Sequence, residues 1–300
     1  MPLYFTLFCH WPLSLLHALG AAMGWVVYLA SPSYRRRLNE HGAAAGLSRL
    51  QRWAAVGQAG KLVGELPFVW GRPADELLGK RVKWVNREAV ATAVAAGKGL
   101  IVLTPHVGVF EIVGQAYGEA FGGQRPMTAL FRPAKQAWLA EVMRISRLRP
   151  GLQTGPATLA GVRQMLRALK RGDTVGILPD QVPPEGMGVW APFFGRPAYT
   201  MTMATKLVAQ TGCAVVIIRG ERLGLLRRWR EGCLYIVHAQ RVSPQDEATM
   251  GADDPLAAAT TLNQLMAQTI LAAPEQYLWG YNRYKGPRAE ILTSGAGGEA

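Results

Sequence analysis

The sequence predicts an α/β protein with a mostly parallel central sheet covered by helices, together with a membrane-anchoring helix at the N terminus. Short apolar runs rich in β-branched residues alternate with segments of helical periodicity along much of the 300-residue chain. This alternation is typical of parallel sheets, because the connection between two parallel strands is usually a helix. An uncharged stretch near the N terminus stands apart from this pattern and predicts the anchor.

The predicted anchor is the run from Leu13 to Ala30, which contains 18 residues and no Asp, Glu, Lys or Arg. A helix that crosses a bilayer needs about 17–25 residues, so the run is close to the lower limit. Arginines at positions 35–37 follow it and no basic residue precedes it. The positive-inside rule then predicts that the rest of the chain is cytoplasmic. Three interpretations stay open: a single span, an in-plane or re-entrant anchor, and an ordinary buried helix.

The segments after the anchor are assigned from their periodicity and their ends. Glycines at positions 97, 172 and 212 close three of the predicted helices. The predicted helices are 35–70, 88–96, 109–120, 157–170, 200–210 and 255–271. The predicted strands are 99–104, 127–131, 174–178 and 214–219, with 234–238 as an edge strand.

The chain divides into three parts. Residues 1–34 form the anchor, residues 35–290 form one domain, and residues 291–300 are predicted to be disordered because small residues dominate them. A length of 300 residues is enough for one large domain and does not require a second.

Composition narrows the partners of this domain. A net charge of +13 favours binding to nucleic acid, to anionic lipid headgroups or to an acidic protein. No nucleic-acid-binding motif is visible, so we expect no nucleic-acid partner. The thiols Cys9, Cys213 and Cys233 have no metal-ligand spacing and indicate a reducing compartment. The five histidines are scattered without paired ligand spacing, so we expect no metal. We also expect no cofactor.

The strongest candidate for chemistry is the pair His106 and Glu111. His106 follows the predicted strand 99–104 and precedes a helix, which places it in a loop at the carboxyl edge of the sheet, where ligands bind. Five positions on a regular helix would separate the two side chains by roughly 140°. Gly108 supplies the bend that would bring them together. The alternative is a hydrogen-bonded loop histidine beside a solvated glutamate.

Several further residues are candidates for binding, each with a structural alternative. Arg132 fits a phosphate or oxyanion clamp, or else an exposed arginine at a strand end. Asp180 follows a strand and lies on the catalytic edge, or else caps a loop. Trp190, Phe193 and Phe194 fit a groove for acyl chains, or else ordinary core packing. Arg283 and Lys285 fit acceptor phosphates, or else a membrane-facing cluster in the tail.

Four segments resemble, in order, motifs of the late acyltransferases of bacterial lipid A biosynthesis. They are Leu103-Thr-Pro-His106-Val-Gly-Val-Phe-Glu111, Leu130-Phe-Arg132-Pro133, the block from Asp180-Gln181 to Pro192-Phe193-Phe194-Gly195, and Gln276-Tyr-Leu-Trp279-Gly-Tyr-Asn-Arg283-Tyr-Lys285. The block from Asp180 and the closing segment are the specific ones. The resemblance covers most of residues 1–287 and adds Gln181 to the predicted substrate-binding residues.

The resemblance implies a glycerolipid-acyltransferase-like fold and an inner-membrane enzyme. It also implies acyl carrier protein as acyl donor and a hydroxyl of a lipid A precursor, of the Kdo-lipid IVA type, as acceptor. His106 would act as general base, with Glu111 fixing its tautomer. No Ser or Cys lies in a nucleophile-elbow context, which favours direct transfer without an acyl-enzyme.

Departures from the family pattern leave other acceptors open. Val109 stands where many members carry Asn, and Ala134-Lys135 follows the Arg-Pro element without the usual polar residue. An ornithine lipid or another glycolipid is therefore an alternative acceptor. Two other classes also remain: a membrane-bound lipid hydrolase that uses the same pair to activate water, and a non-catalytic lipid-binding or scaffolding protein.

Overall fold

The computed structural model describes residues 7–73, 76–131, 134 and 136–288. Arg132 and the predicted tail 291–300 lie outside the described residues.

Most of the described strands form one seven-stranded sheet in the order β1-β9-β8-β2-β5-β3-β4. Every neighbouring pair in this sheet is parallel except β8 and β9. The predicted mostly parallel α/β fold is confirmed. The strands are β1 (Val82–Val85), β2 (Leu100–Leu103), β3 (Met127–Phe131), β4 (Leu152–Pro156), β5 (Thr174–Ile177), β8 (Ala214–Arg222) and β9 (Tyr235–Arg241), and a separate antiparallel hairpin consists of β6 (Gly188–Phe193) and β7 (Arg196–Met201).

Helices cover both faces of the sheet. They are α1 (Leu13–Ala30), α2 (Pro32–Ala44), α3 (Arg49–Trp70), α4 (Glu88–Ala96), α5 (Phe110–Phe121), α6 (Ala137–Ser146), α7 (Leu159–Lys170), α8 (Met203–Thr211), α9 (Leu225–Glu231), α10 (Pro244–Met250) and α11 (Pro255–Leu271). All four residues of β2 are buried. Ile101 and Leu103 belong to one apolar core and Leu100 and Val102 to the other, so the central strand is uncharged because both of its faces are packed.

The structure corrects three predictions about the elements of the fold. The segment 35–70 is two helices, because Gly46 turns the chain with a φ of +82° and Ser48 starts α3 with a capping box. Thr200 belongs to β7, and the helix predicted from it begins only at Met203. The strand predicted at 234–238 is present as β9, but its predicted position at the edge of the sheet is wrong, because β1 pairs with β9 on its outer side.

The N-terminal helix packs closely along α3. Glycines face one another at the crossing, and a Cβ on Gly60 would lie 2.0 Å from the carbonyl oxygen of Gly20. Gly24 and Gly64 make similarly close approaches to the opposite backbone. Small residues four apart on both helices allow this short separation, as in membrane helix pairs. Among the described helices, α1 is the one long and apolar enough to cross a membrane, and a third of it is buried against the protein.

Candidate active site

The candidate site forms where two neighbouring parallel strands end. In the pairing of β2 with β5, Leu103 lies opposite Ile177, so the loops that follow leave the same edge of the sheet. These loops bring His106 and Asp180 together across 74 positions of sequence. The Nδ1 atom of His106 lies 2.7 Å from Oδ1 of Asp180, and the backbone N–H of His106 donates to Oδ2 at 2.9 Å.

This contact fixes the protonation pattern of the imidazole. A carboxylate accepts hydrogen bonds, so Nδ1 carries the proton and Nε2 keeps its lone pair in the neutral ring. Burial acts to lower the pKa of His106, but the charge and hydrogen bond of Asp180, with a smaller effect of Glu111, hold that pKa above its ordinary value. Burial acts to raise the pKa of Asp180, and His106 and backbone N–H groups keep it below the usual range. The pair therefore combines an ionised carboxylate with an imidazole that is basic at Nε2.

The Nε2 atom faces the outer side of the site. The side-chain amide nitrogen of Gln181 lies 3.1 Å from Nε2 and donates to it. The ring of Phe110 packs edge-on against the imidazole at 4.7 Å between centroids. The side chain of His106 is 15% exposed and that of Asp180 is 2% exposed. A ligand can thus approach Nε2 where Gln181 now lies, while Asp180 is shielded from water.

Glu111 occupies a different position from the one expected. It lies in the first turn of α5 and accepts a hydrogen bond from the Nη2 atom of Arg147 at 3.0 Å. The guanidinium of Arg147 also lies 5.8 Å from the ring centre of Trp70. The hydrogen bond that orients His106 comes from Asp180, whereas the sequence predicted it from Glu111. Glu111 acts on His106 through its charge, which raises the pKa of the ring.

The predicted bend at Gly108 is present, although the hydrogen bond of Glu111 goes to Arg147 and not to His106. Gly108 has a φ of +60°, and a Cβ there would lie 1.9 Å from the carbonyl oxygen of Gly220, so no other residue fits. Its backbone N–H donates to the carbonyl of Gln276 at 2.9 Å, and its own carbonyl accepts from Arg222 at 3.2 Å. The loop that carries His106 is therefore held by contacts with Gly220, Gln276 and Arg222.

Arg222 connects the loop of His106 to helices α3 and α1. Its guanidinium pairs with Glu65 of α3 through both terminal oxygens, with 2.9 Å between Nε and Oε2. Burial acts to raise the pKa of Glu65, but the charge of Arg222 and its hydrogen bonds hold that pKa below the ordinary value. His17 of α1 also contacts Oε2 of Glu65, at 2.8 Å. The loop of His106 and the N-terminal helix thus share one buried polar cluster.

The other predicted binding residues are spread over the β6–β7 hairpin and the C-terminal segment. Trp190 is 49% exposed and packs on Tyr199, whereas Phe193 is buried in the core beside Phe194. Arg283 is 2% exposed, and its guanidinium donates to the carbonyl of Tyr199 at 2.7 Å. The structure therefore gives Arg283 a packing contact with the hairpin, whereas the sequence predicted a contact with acceptor phosphates. The side chain of Lys285 lies over the ring of Tyr281 at 5.3 Å.

The sequence did not predict two residues of the site, one beside Asp180 and one bonded to Glu111. Tyr277 lies close to Asp180, and burial, with the charge of Asp180, raises its pKa well above the ordinary value. Arg147, the partner of Glu111, follows α6 in a segment without a motif. Tyr277 belongs to the closing segment singled out above, but nothing in the sequence pointed to Arg147.

Replacing Glu111 by glutamine is expected to lower the catalytic rate by roughly tenfold, a barrier change of about 1.4 kcal/mol. Loss of the negative charge also lowers the pKa of His106, so the acid limb of the pH–rate profile should move to lower pH. The matched control is Glu141→Gln, which removes an exposed ion pair with Arg144. An unchanged rate and profile in a folded Glu111→Gln variant would contradict this role.

Comparisons with known proteins agree on one family. A sequence model described as bacterial lipid A biosynthesis acyltransferase matches residues 50–286. The chain is 27% identical to the lipid A biosynthesis palmitoleoyltransferase of Escherichia coli over 208 residues, which are 68% of this chain and 62% of that protein. It is 24% identical to the lauroyltransferase of the same organism over 223 residues, 74% of this chain and 67% of that protein. It is 26% identical to the lipid A biosynthesis acyltransferase of Haemophilus influenzae over 234 residues, 76% and 68% respectively.

Proposed function

The chain belongs to the bacterial lipid A biosynthesis acyltransferase family, and on this premise we propose that it transfers a fatty acyl group from acyl carrier protein to a hydroxyl of a lipid A precursor. The acceptor would be of the Kdo-lipid IVA type. The chain spans 62% of the length of the palmitoleoyltransferase it matches, so the donor and the acceptor are proposals, supported by the resemblance of its motifs to the family. The observation that carries the proposal is the 2.7 Å contact between His106 and the buried Asp180.

The reaction follows from the open Nε2 atom. Nε2 of His106 removes the proton from the acceptor hydroxyl as its oxygen attacks the thioester carbonyl carbon, and Asp180 stabilises the imidazolium that forms. When the tetrahedral intermediate collapses, the carbon–sulfur bond breaks and the thiolate takes the proton from Nε2. The products are an ester and a free thiol, and His106 returns to its starting state. No acyl-enzyme is needed, because the hydroxyl itself is the nucleophile.

The other predicted residues have proposed roles in binding. Gln181 donates to Nε2 at 3.1 Å, so the incoming hydroxyl must displace this amide, which would then line the acceptor site. Arg132, outside the described residues, is proposed to bind the oxyanion or a phosphate. Trp190 is the exposed aromatic side chain of the hairpin and is proposed to contact an acyl chain. Lys285 is the remaining candidate for acceptor phosphates, because Arg283 is already bonded to the hairpin.

The location proposed for the enzyme is the cytoplasmic side of the bacterial inner membrane. One apolar helix at the N terminus supports membrane association. Arginines at positions 35–37 follow this helix, and cytoplasmic segments near membranes are enriched in basic residues. A cytoplasmic site would meet a soluble carrier protein and a lipid substrate at the same surface.

The direct test is incubation of the purified protein with acyl carrier protein thioester and a set of candidate acceptors, followed by mass spectrometry of the lipids. The acceptors are a Kdo-lipid IVA precursor, an ornithine lipid and a neutral glycolipid. The expected result is an acylated Kdo-lipid IVA product that His106→Ala does not form. Free fatty acid without an acylated lipid would identify a hydrolase and overturn the proposal. Acylation of only the ornithine lipid or glycolipid would retain the reaction and change the acceptor.

Use of the carrier protein predicts a dependence on salt. Acyl carrier proteins are acidic, and a surface with a net charge of +13 should attract them through screened charges. We therefore expect the apparent KM for the carrier-protein thioester to rise as ionic strength increases through ~0.1 M, where the Debye length falls to about 10 Å. The thioester of coenzyme A with the same acyl chain is the control and should be a poorer substrate. Equal use of both donors at all salt concentrations would exclude a carrier-protein docking surface.

A further inference from the structure

A second exposed apolar element projects from the domain beside the N-terminal helix. It is α9, between β8 and β9, where Leu226 is 86% and Trp229 is 87% exposed. The base of this excursion is packed, because Leu223, Cys233 and Ile236 form a small buried cluster. A fixed base with large apolar side chains at its tip is typical of a contact surface rather than of a core element.

The outer side of α1 is equally apolar. Leu15, Leu19, Met23 and Val26 are each between 44% and 58% exposed, and α1 contains no Asp, Glu, Lys or Arg. The opposite side of the helix is closed by the glycine contacts with α3. Helix α1 is therefore packed against α3 on one side and open on the other.

One contact joins the two elements. A terminal nitrogen of Arg228, in α9, lies 2.7 Å from Nδ1 of His17, in α1. The other ring nitrogen of His17 contacts Glu65 of α3 at 2.8 Å. Helix α9 therefore lies beside the N-terminal half of α1, and its Arg228 reaches the side of α1 that packs on α3.

The same contacts argue against a crossing of the bilayer by α1 in this packing. A span would carry the N-terminal end of α1 to the far side of the membrane, away from the domain. Instead, His17 near that end is bonded to Glu65 and Arg228. A spanning α1 would also bring Lys61 and Glu65 of the adjoining α3 to the depth of the hydrocarbon, where charged side chains are rare.

We propose that the open side of α1 and the tip of α9 form one membrane face that lies in the interfacial layer of a single leaflet. The membrane face consists of Leu15, Leu19, Met23, Val26, Leu226 and Trp229. Tryptophan favours the boundary between headgroups and acyl chains. Arg36 and Arg230 are 71% and 72% exposed, and although each is paired with a neighbouring glutamate, both are accessible to anionic headgroups. The partner is therefore a bilayer with anionic lipid.

Helix α9 leaves the same edge of the sheet as the loop of His106, because β8 and β2 are parallel neighbours. Arg222, at the end of β8 from which α9 projects, donates to the carbonyl of Gly108, two residues after His106. The proposal itself does not depend on acyl transfer, because it rests on the packing of α1 and α9.

Topology distinguishes one leaflet from a crossing. The full chain carries a different epitope tag at each end, and protease is added to intact spheroplasts and to inverted membrane vesicles. The membrane face predicts that both tags are digested in the same preparation and protected in the other. Digestion of the two tags in opposite preparations would show that α1 crosses the bilayer and would overturn the proposal.

The contribution of α9 is measured by flotation of the full chain with vesicles of phosphatidylethanolamine and phosphatidylglycerol. The double variant Leu226→Ala, Trp229→Ala should bind about tenfold more weakly, as expected for loss of two large apolar contacts. The matched control is Leu256→Ala, at an exposed leucine on α11. In addition, brominated lipid should quench the fluorescence of the wild-type chain more than that of Trp229→Phe.

A second copy of the chain is the competing occupant of the membrane face. Light scattering of the wild type and the double variant in detergent measures it. Unchanged vesicle binding and equal quenching would overturn the role of α9, and a dimer lost in the double variant would then assign this surface to self-association. Reduced vesicle binding with the same oligomeric state in both proteins supports the membrane face.

Discussion

Replacing His106 by alanine is expected to lower the rate of acyl transfer by about 10²–10⁴, the usual contribution of general acid–base catalysis. Because Asp180 binds Nδ1 of the neutral imidazole, Nε2 carries a lone pair that can accept a proton, and it lies 3.1 Å from the amide of Gln181. Without the imidazole, the acceptor hydroxyl must lose its proton to water as it attacks the thioester. Initial rates with purified protein, carrier-protein thioester and lipid acceptor measure this effect.

The control for this substitution is a second histidine–carboxylate pair in the chain. His238 lies 2.8 Å from Oε2 of Glu221, so His238→Gln removes a similar contact elsewhere on the sheet. We expect that variant to keep most of its activity. Transfer near the wild-type rate by a folded His106→Ala protein would exclude His106 as the base and, with it, the proposed mechanism.

Replacing Asp180 by asparagine is expected to lower the rate by a similar factor, about 10²–10⁴, because the carboxylate selects the tautomer of the base. Asparagine can donate to Nδ1, which would then hold no proton and leave the proton on Nε2. The expected signature is a loss in kcat that exceeds the change in KM. Nitrogen NMR of the imidazole would report the change of tautomer directly.

The pH dependence gives Asp180 a second test. The pKa of His106 is raised above its ordinary value, so the active neutral ring is lost as the pH falls through that raised pKa. Without the carboxylate, the effect of burial remains and lowers the pKa, and the acid limb of the residual activity should move to lower pH. Asp253→Asn, at an exposed aspartate, is the control. An unmoved acid limb in Asp180→Asn would show that Asp180 does not set the basicity of His106.

Much of the fold could be predicted from local patterns. The apolar runs at β2, β3, β5 and β8 were recognised because a strand packed on both faces has few polar residues. The four-residue strand β1 was missed, since it alternates between half-buried and exposed positions and has no continuous apolar run. Without β1, the strand at 234–238 was placed at the edge of the sheet. The break at Gly46 inside the 35–70 segment was missed because the residues on both sides of it are helical.

The sequence by itself determined the position of His106 at a strand end, the bend at Gly108 and the apolar character of α1, because each is a local property of a few consecutive residues. Only the tertiary structure decided which carboxylate holds the imidazole. Asp180 is 74 positions from His106 in the sequence, and the two meet because β2 and β5 are parallel neighbours in a defined register. Glu111, five positions away, instead accepts a hydrogen bond from Arg147, which directly follows α6. Two residues that are close in sequence do not form a hydrogen bond when the helix and loop geometry directs their side chains apart. Contacts between distant residues depend on strand register, and register is fixed by the packing of the whole sheet.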